Sequence, residues 1–317
     1  MLPYLPLKVS FADMGGIESI RKTVTAQMEE GFKAGIFKAP DLTGIIKERV
    51  QIPTRDGASL GGVVYRPESG VKGPLLVFYH GGGFVSGFPE TFEPEAELLT
   101  KELGVTVLGV AYRVAPENIF PTAVNDAVDS LKWQPLGADP SKGFIVAGSS
   151  AGGNLAAGAA RNSIDSNLSP PLTGVFLNVP LLVHPTAVPE KFKPHYNSEE
   201  EFKDGMILDR RGMQDSSLIV ADAYQWDPTS KEASPLLWPK GSKPHPPTYI
   251  QVCGADPLRD DGLIYESILR EEGVPTRLDV YPGLPHGSLN FMPMLSQSKK
   301  ALVDVKDGVQ WILNQKA

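Results

Sequence analysis

Phe144-Ile-Val-Ala-Gly-Ser-Ser150-Ala-Gly-Gly-Asn154-Leu-Ala-Ala-Gly-Ala-Ala160 reads as a buried strand that passes through a glycine-rich turn straight into a helix. Phe144–Ala147 is short and wholly apolar, and the alanines after Asn154 favour helix. Between them lies Gly148-x-Ser150-x-Gly152, the pattern of a nucleophile elbow when it stands at a strand-to-helix junction. The turn holds its serine in strained backbone geometry, so the residues two before and two after must be very small. Ser150 has Gly148 and Gly152 in those places, whereas Ser149 has Ala147 and Ala151 and fits less well. The amide that follows, that of Ala151, falls at a helix N-terminus, where developing negative charge is favoured.

Outward from this junction the chain alternates. Short β-branched runs stand at 46–53, 60–66, 75–79, 105–111, 143–147, 174–183, 247–253 and 276–281. Helix-length segments occupy 90–103, 121–134, 151–165, 258–272 and 296–315. The central runs are continuously apolar, as parallel strands covered on both faces must be. The pattern specifies an α/β fold, a mostly parallel eight-stranded sheet flanked by helices, with the first two strands as an antiparallel hairpin at its edge. Residues 15–35 add a helix with Ile17, Ile20, Val24 and Met28 on one face. Residues 185–235 are far longer than a crossover and carry Met206, Ile207, Leu208, Met213, Leu218 and Ile219. We expect an N-terminal cap segment over 1–45, a first core part over 46–184, a cap insertion over 185–235 and a second core part over 236–317.

His80-Gly-Gly-Gly83-Phe84 follows the apolar run Leu75–Tyr79. Three glycines let the backbone approach a ligand and turn its N–H groups inward. With the elbow downstream, Gly82, Gly83 and Ala151 are the expected oxyanion donors. A triad on such a sheet runs in the order serine, acid, histidine, with the last two in loops after later strands. Asp256, in Gly254-Ala-Asp-Pro-Leu-Arg-Asp260-Asp261, is the better acid because it follows the strand directly, with Asp260 next; Asp260 and Asp261 suit the start of the next helix. His286, in Pro285-His-Gly, is the base. His80 is read as holding the glycine loop. His184, His195 and His245 are read as surface or packing residues, Glu199–Glu201 as a solvated face, and Tyr112, Arg113 and Glu117 as organisers of a buried turn. Met206, Met213 and Leu218 either line an acyl pocket or pack the cap.

The 317 residues are 41% apolar and 21% charged, ordinary for a globular protein. A net charge of −7 argues against nucleic acid and anionic membrane as partners, which require clustered Lys and Arg. Cys253 is the single cysteine, so there is no intrachain disulfide or cysteine-based metal cluster, and its apolar surroundings make it a core residue. Without a signal-like N-terminus or a long apolar span, a cytoplasmic protein is expected.

Taken together, His80-Gly-Gly-Gly, Tyr112-Arg-Val-Ala-Pro-Glu117, Phe120-Pro-Thr-Ala, Gly148-x-Ser150-Ala-Gly-Gly-Asn154, Asp256-Pro-Leu-Arg-Asp260 and His286-Gly resemble the hormone-sensitive-lipase family of α/β hydrolases, the bacterial family IV esterases. The resemblance spans residues 46–290 in the family's order. It implies an α/β-hydrolase fold with a helical cap from the N-terminus and the insertion. It further implies a cofactor-free, metal-free serine esterase acting on small-molecule esters of short to medium acyl chains, and is compatible with an edge-to-edge homodimer. Two positions depart from the pattern: Ser149 stands where the family commonly has Asp, and Ser288 follows His286-Gly287 where an aromatic is usual. The same machinery serves lactonases, amidases and dedicated deacetylases. A receptor on this scaffold, of the kind that lacks the histidine, is disfavoured by His286.

Overall fold

Side-chain alternation along the central strands builds two cores on one sheet. The structure, a computed structural model, describes residues 16–135, 137–208, 223–241 and 243–315. Its strands are β1 (Ile45–Pro53), β2 (Ser59–Pro67), β3 (Leu75–Tyr79), β4 (Thr106–Ala111), β5 (Phe144–Ser149), β6 (Gly174–Asn178), β7 (Thr248–Ala255) and β8 (Thr276–Pro285). They form one sheet of order β1-β2-β4-β3-β5-β6-β7-β8. The β1/β2 and β2/β4 pairs are antiparallel and all others parallel, so the expected edge hairpin is present.

The main helices are α1 (Ile17–Lys33), α2 (Glu93–Leu103), α3 (Thr122–Ser130), α4 (Ala151–Asp165), α5 (Arg259–Glu271) and α6 (Ser296–Asn314). Successive strand residues point to opposite faces. Val77, Val146 and Ile250 therefore join Ala127, Leu155 and Leu269 from α3, α4 and α5 on one side. Phe78, Ile145, Phe176 and Tyr249 join Leu99 from α2 and Val309 from α6 on the other. α1 packs Ile17 against the first of these cores and is tied down by Arg21. Its guanidinium donates to the Val85 and Ala115 carbonyls at 2.7 Å and to both Glu117 oxygens at 2.8 Å.

The sixth strand is shorter than its apolar run, which continues to 183. Val179 takes a positive φ of 42°, and Pro180 has no N–H for a ladder. The chain leaves the sheet there, and the amides of Leu182 and Val183 donate instead to Asp261 Oδ1 at 2.7 and 3.0 Å. Tyr196 Oη donates to the other oxygen of Asp261 at 3.0 Å. Asp260 accepts from the amides of Asn197 and Ser198, both at 2.7 Å. Two adjacent aspartates at the start of α5 thus hold the segment that follows β6. That segment contributes single turns at Pro185–Ala187, Lys193–His195 and Ser198–Glu201. Met213, Leu218 and Ile219 of the expected insertion helix lie outside the described residues. No helix among the described residues is long and apolar enough to cross a membrane.

Asp261→Ala leaves two buried N–H groups without an acceptor, at about 1–3 kcal/mol each. Urea unfolding should show a loss of about 3 kcal/mol; a loss below about 1 kcal/mol would mean that the clamp contributes little.

Candidate active site

Ser150 sits between β5 and α4 with φ 54° and ψ −119°. Two close approaches make this turn possible. A Cβ on Gly148 would stand 2.0 Å from the Gly152 carbonyl oxygen, and one on Gly152 would stand 2.0 Å from that of Tyr79. Ser149, at the end of β5, is not in the left-handed region; its hydroxyl accepts from Asn178 Nδ2 at 3.4 Å.

The loops after β7 and β8 bring Asp256 and His286 to this serine. His286 Nε2 is 2.9 Å from Ser150 Oγ, and His286 Nδ1 is 2.8 Å from Asp256 Oδ2. With a carboxylate at Nδ1 the ring proton belongs there, which leaves Nε2 to accept from the serine hydroxyl. Asp256 is 1% exposed, and its second oxygen accepts from the Leu258 amide at 2.8 Å. Asp260, the runner-up acid, is turned away into its bonds with Asn197 and Ser198.

Gly82, Gly83 and Phe84 have φ of 116°, 62° and 63°, three successive left-handed residues that curl the loop. The Gly82 carbonyl is turned back to accept from the Val85 and Ser86 amides. Gly82, Gly83 and Ala151 all line the cavity that holds Ser150, and none of their amides donates to a protein acceptor among the described residues. His80 lies behind this loop. Its Nδ1 donates to the Gly81 carbonyl at 2.8 Å, its ring stacks on Tyr112 at 4.2 Å, and burial lowers its pKa to about 4. Tyr112 donates its hydroxyl to the His80 carbonyl at 2.9 Å. Arg113 is held by Asp126, and Glu117 is the partner of Arg21, so this turn links the glycine loop to α1.

The cavity measures about 880 Å³ and its walls are mostly apolar. Val24, Met28 and Phe32 of α1 form one part; Leu289, Phe291 and Met292, after His286, form another. Ile207, Leu208 and Trp226 enter from the insertion, while Met206 does not line it and Met213 and Leu218 lie outside the described residues. His184, read from sequence as a surface or packing residue, lines the cavity too, with Nδ1 2.7 Å from the Thr186 hydroxyl and its ring edge-on to Trp226. His245 is a packing residue, buried before β7. Phe291 supplies an aromatic close to His286 even though Ser288 follows Gly287, because its ring lies against Gly287. The spacing Ile17, Ile20, Val24 and Met28 was the available signal for the α1 wall; nothing local marked Trp226 or His184 as lining residues.

A serine at a strained strand-to-helix turn on a sheet of this order is the arrangement of the α/β hydrolases. A family model described as alpha/beta hydrolase fold matches residues 76–290. The chain belongs to this family, in its hormone-sensitive-lipase branch, and is a carboxylic-ester hydrolase. An AB hydrolase superfamily protein of Schizosaccharomyces pombe is 39% identical over 272 residues, covering 84% of this chain and 79% of the relative. The versiconal hemiacetal acetate esterase of Dothistroma septosporum is 36% identical over 266 residues, covering 80% and 79%. The solved esterase of Pyrobaculum calidifontis superposes with a TM-score of 0.81 at 32% identity, covering 95% of this chain and 94% of that one.

Gly152→Ala should abolish activity and lower stability by several kcal/mol, because backbone, not a flexible side chain, meets the new methyl. A variant that kept near-normal Tm and turnover would show that the turn can relax.

Proposed function

We propose that this protein is a serine carboxylesterase that hydrolyses short- to medium-chain acyl esters through Ser150, His286 and Asp256. The reading rests on one observation above others: His286 faces Ser150 Oγ with one nitrogen and Asp256 with the other, at 2.9 and 2.8 Å. Ser150 Oγ attacks the ester carbonyl while Nε2 takes its proton, and Asp256 stabilises the resulting imidazolium without becoming protonated. The oxyanion is held by the amides of Gly82, Gly83 and Ala151, each worth about 3–4 kcal/mol at the transition state. Collapse breaks the bond to the alcohol oxygen, which receives the proton from Nε2. Water, activated by the same nitrogen, then attacks the acyl-enzyme and releases the acid and Ser150. No step calls on a metal or cofactor.

The described parts of residues 1–45 and 185–235 act as a cap over this site. The parts of these segments that line the cavity, Val24, Met28 and Phe32 with Ile207, Leu208 and Trp226, support that role and set an apolar wall for the acyl chain. Several relatives carry names of acetate esterases, and an ethyl acetate hydrolase of Pseudomonas putida is 29% identical, which favours small acyl groups. The net charge of −7 disfavours an anionic membrane surface as partner, and we place the enzyme on dissolved esters.

Hydrolysis of p-nitrophenyl acetate, butyrate, octanoate and palmitate should be fastest on the shorter chains. Ser150→Ala should lose about 10⁶ in kcat, while Ser149→Ala loses far less. A reversed order of the two serines would overturn the nucleophile assignment, and silence of the folded wild type on every ester would overturn the reading itself.

A further inference from the structure

Glu95 lies on the inner face of α2 with Ala96, Leu99 and Thr100, all buried. It lines the same cavity as Ser150, it is 5% exposed, and its Oε2 has no hydrogen-bond partner. Glu90 and Glu93 line that cavity as well, but each has a cation: Arg49 at 2.6 Å from Glu90 and Lys47 at 2.5 Å from Glu93. Glu95 has no ion pair among the described residues. Burial pushes its carboxyl up to about 7, opposed only by its own backbone amide.

A buried carboxyl with an idle oxygen costs stability that a leucine would not. Ligand pockets, by contrast, are apolar walls with a few polar groups that fix orientation. Glu95 is such a group in a mostly apolar wall, and unlike Glu90 and Glu93 it has no cation beside it.

We propose that Glu95 determines specificity, and that the cavity accepts esters whose acyl or alcohol portion carries a hydroxyl group hydrogen-bonded to the Glu95 carboxyl. The proposal deepens the esterase reading and rests on it for the orientation of the ester at Ser150. A hydroxyl suits the site better than a charged group. It accepts from a protonated carboxyl and donates to an ionised one, so it is satisfied on both sides of neutral pH. An ammonium would need the carboxyl fully ionised, and a carboxylate would need it fully protonated.

The test measures binding rather than turnover. Ser150→Ala is titrated calorimetrically with alkyl acetates from butyl to decyl and with methyl esters from butanoate to decanoate, each beside its ω-hydroxy counterpart. The same titrations are run with Glu95→Leu, Glu95→Met and Glu95→Gln added, each variant first shown to be folded by its thermal transition. At one chain length the ratio of the two Kd values should favour the hydroxylated ester about 10–100-fold more with Glu95 than with Leu or Met. Gln, which can both donate and accept, should restore most of that difference. Equal ratios at every length with Glu95, Leu and Met would overturn the proposal. Hydrolysis of the unsubstituted esters by the wild type is scored separately, so failure of the esterase reading is distinguishable from failure of this one.

Discussion

Ser150 occupies a backbone conformation, φ 54° and ψ −119°, that costs an L-residue about 1–3 kcal/mol and persists only where its surroundings leave no alternative. Those surroundings are the sheet and α4. The Ser150 amide donates to the Asn178 carbonyl at 3.0 Å, tying the turn to the end of β6, and its own carbonyl accepts from Asn154 as the helix begins. Gly148 and Gly152 are glycine because the crossing backbones leave no room for a methyl. The hydroxyl is therefore presented by the fold rather than by a flexible loop. Strand, turn and helix have to be complete before the chemistry has a place to stand.

The remaining parts are held by the same logic at neighbouring strand ends. β7 delivers Asp256, β8 delivers His286, and β3 delivers the glycine loop, all at one edge of a parallel sheet. Asp256 is buried and bonded to the Leu258 amide, so the imidazole has one orientation available. Asp260 and Asp261 then use the start of α5 to hold the segment after β6, and Arg21 holds α1 against the glycine loop and the turn at Ala115–Glu117. The walls of the cavity are thus anchored to the elements that carry Ser150, Asp256 and His286, the reacting groups we propose.

Much of this was legible because burial leaves a strong mark. Leu75–Tyr79 and Phe144–Ala147 are apolar throughout, since helices cover both of their faces. The elbow and glycine loop were legible because close backbone contact admits few residue types. Strand six is shorter than its apolar run because Val179, Leu182 and Val183 stay buried after the chain has left the sheet; the pattern reports burial, not pairing. The insertion was legible as a length and a set of apolar residues but not as a path, because the groups that hold its start, Asp260 and Asp261, lie more than sixty residues from the backbone they bind. Glu95 was not marked, because it sits among Glu93 and Glu97 and only its spacing to Leu99 on α2 turns it inward.

The central claim is that Ser150 is the activated nucleophile and that His286 activates it. Diethyl p-nitrophenyl phosphate transfers its phosphoryl group to such a serine, with p-nitrophenolate leaving. Intact and peptide mass spectrometry after brief treatment should show one diethylphosphoryl group, on Ser150, and His286→Ala should suppress labelling by orders of magnitude while remaining folded. Labelling at Ser149 or elsewhere, or labelling of Ser150 at an unchanged rate without His286, would contradict the account.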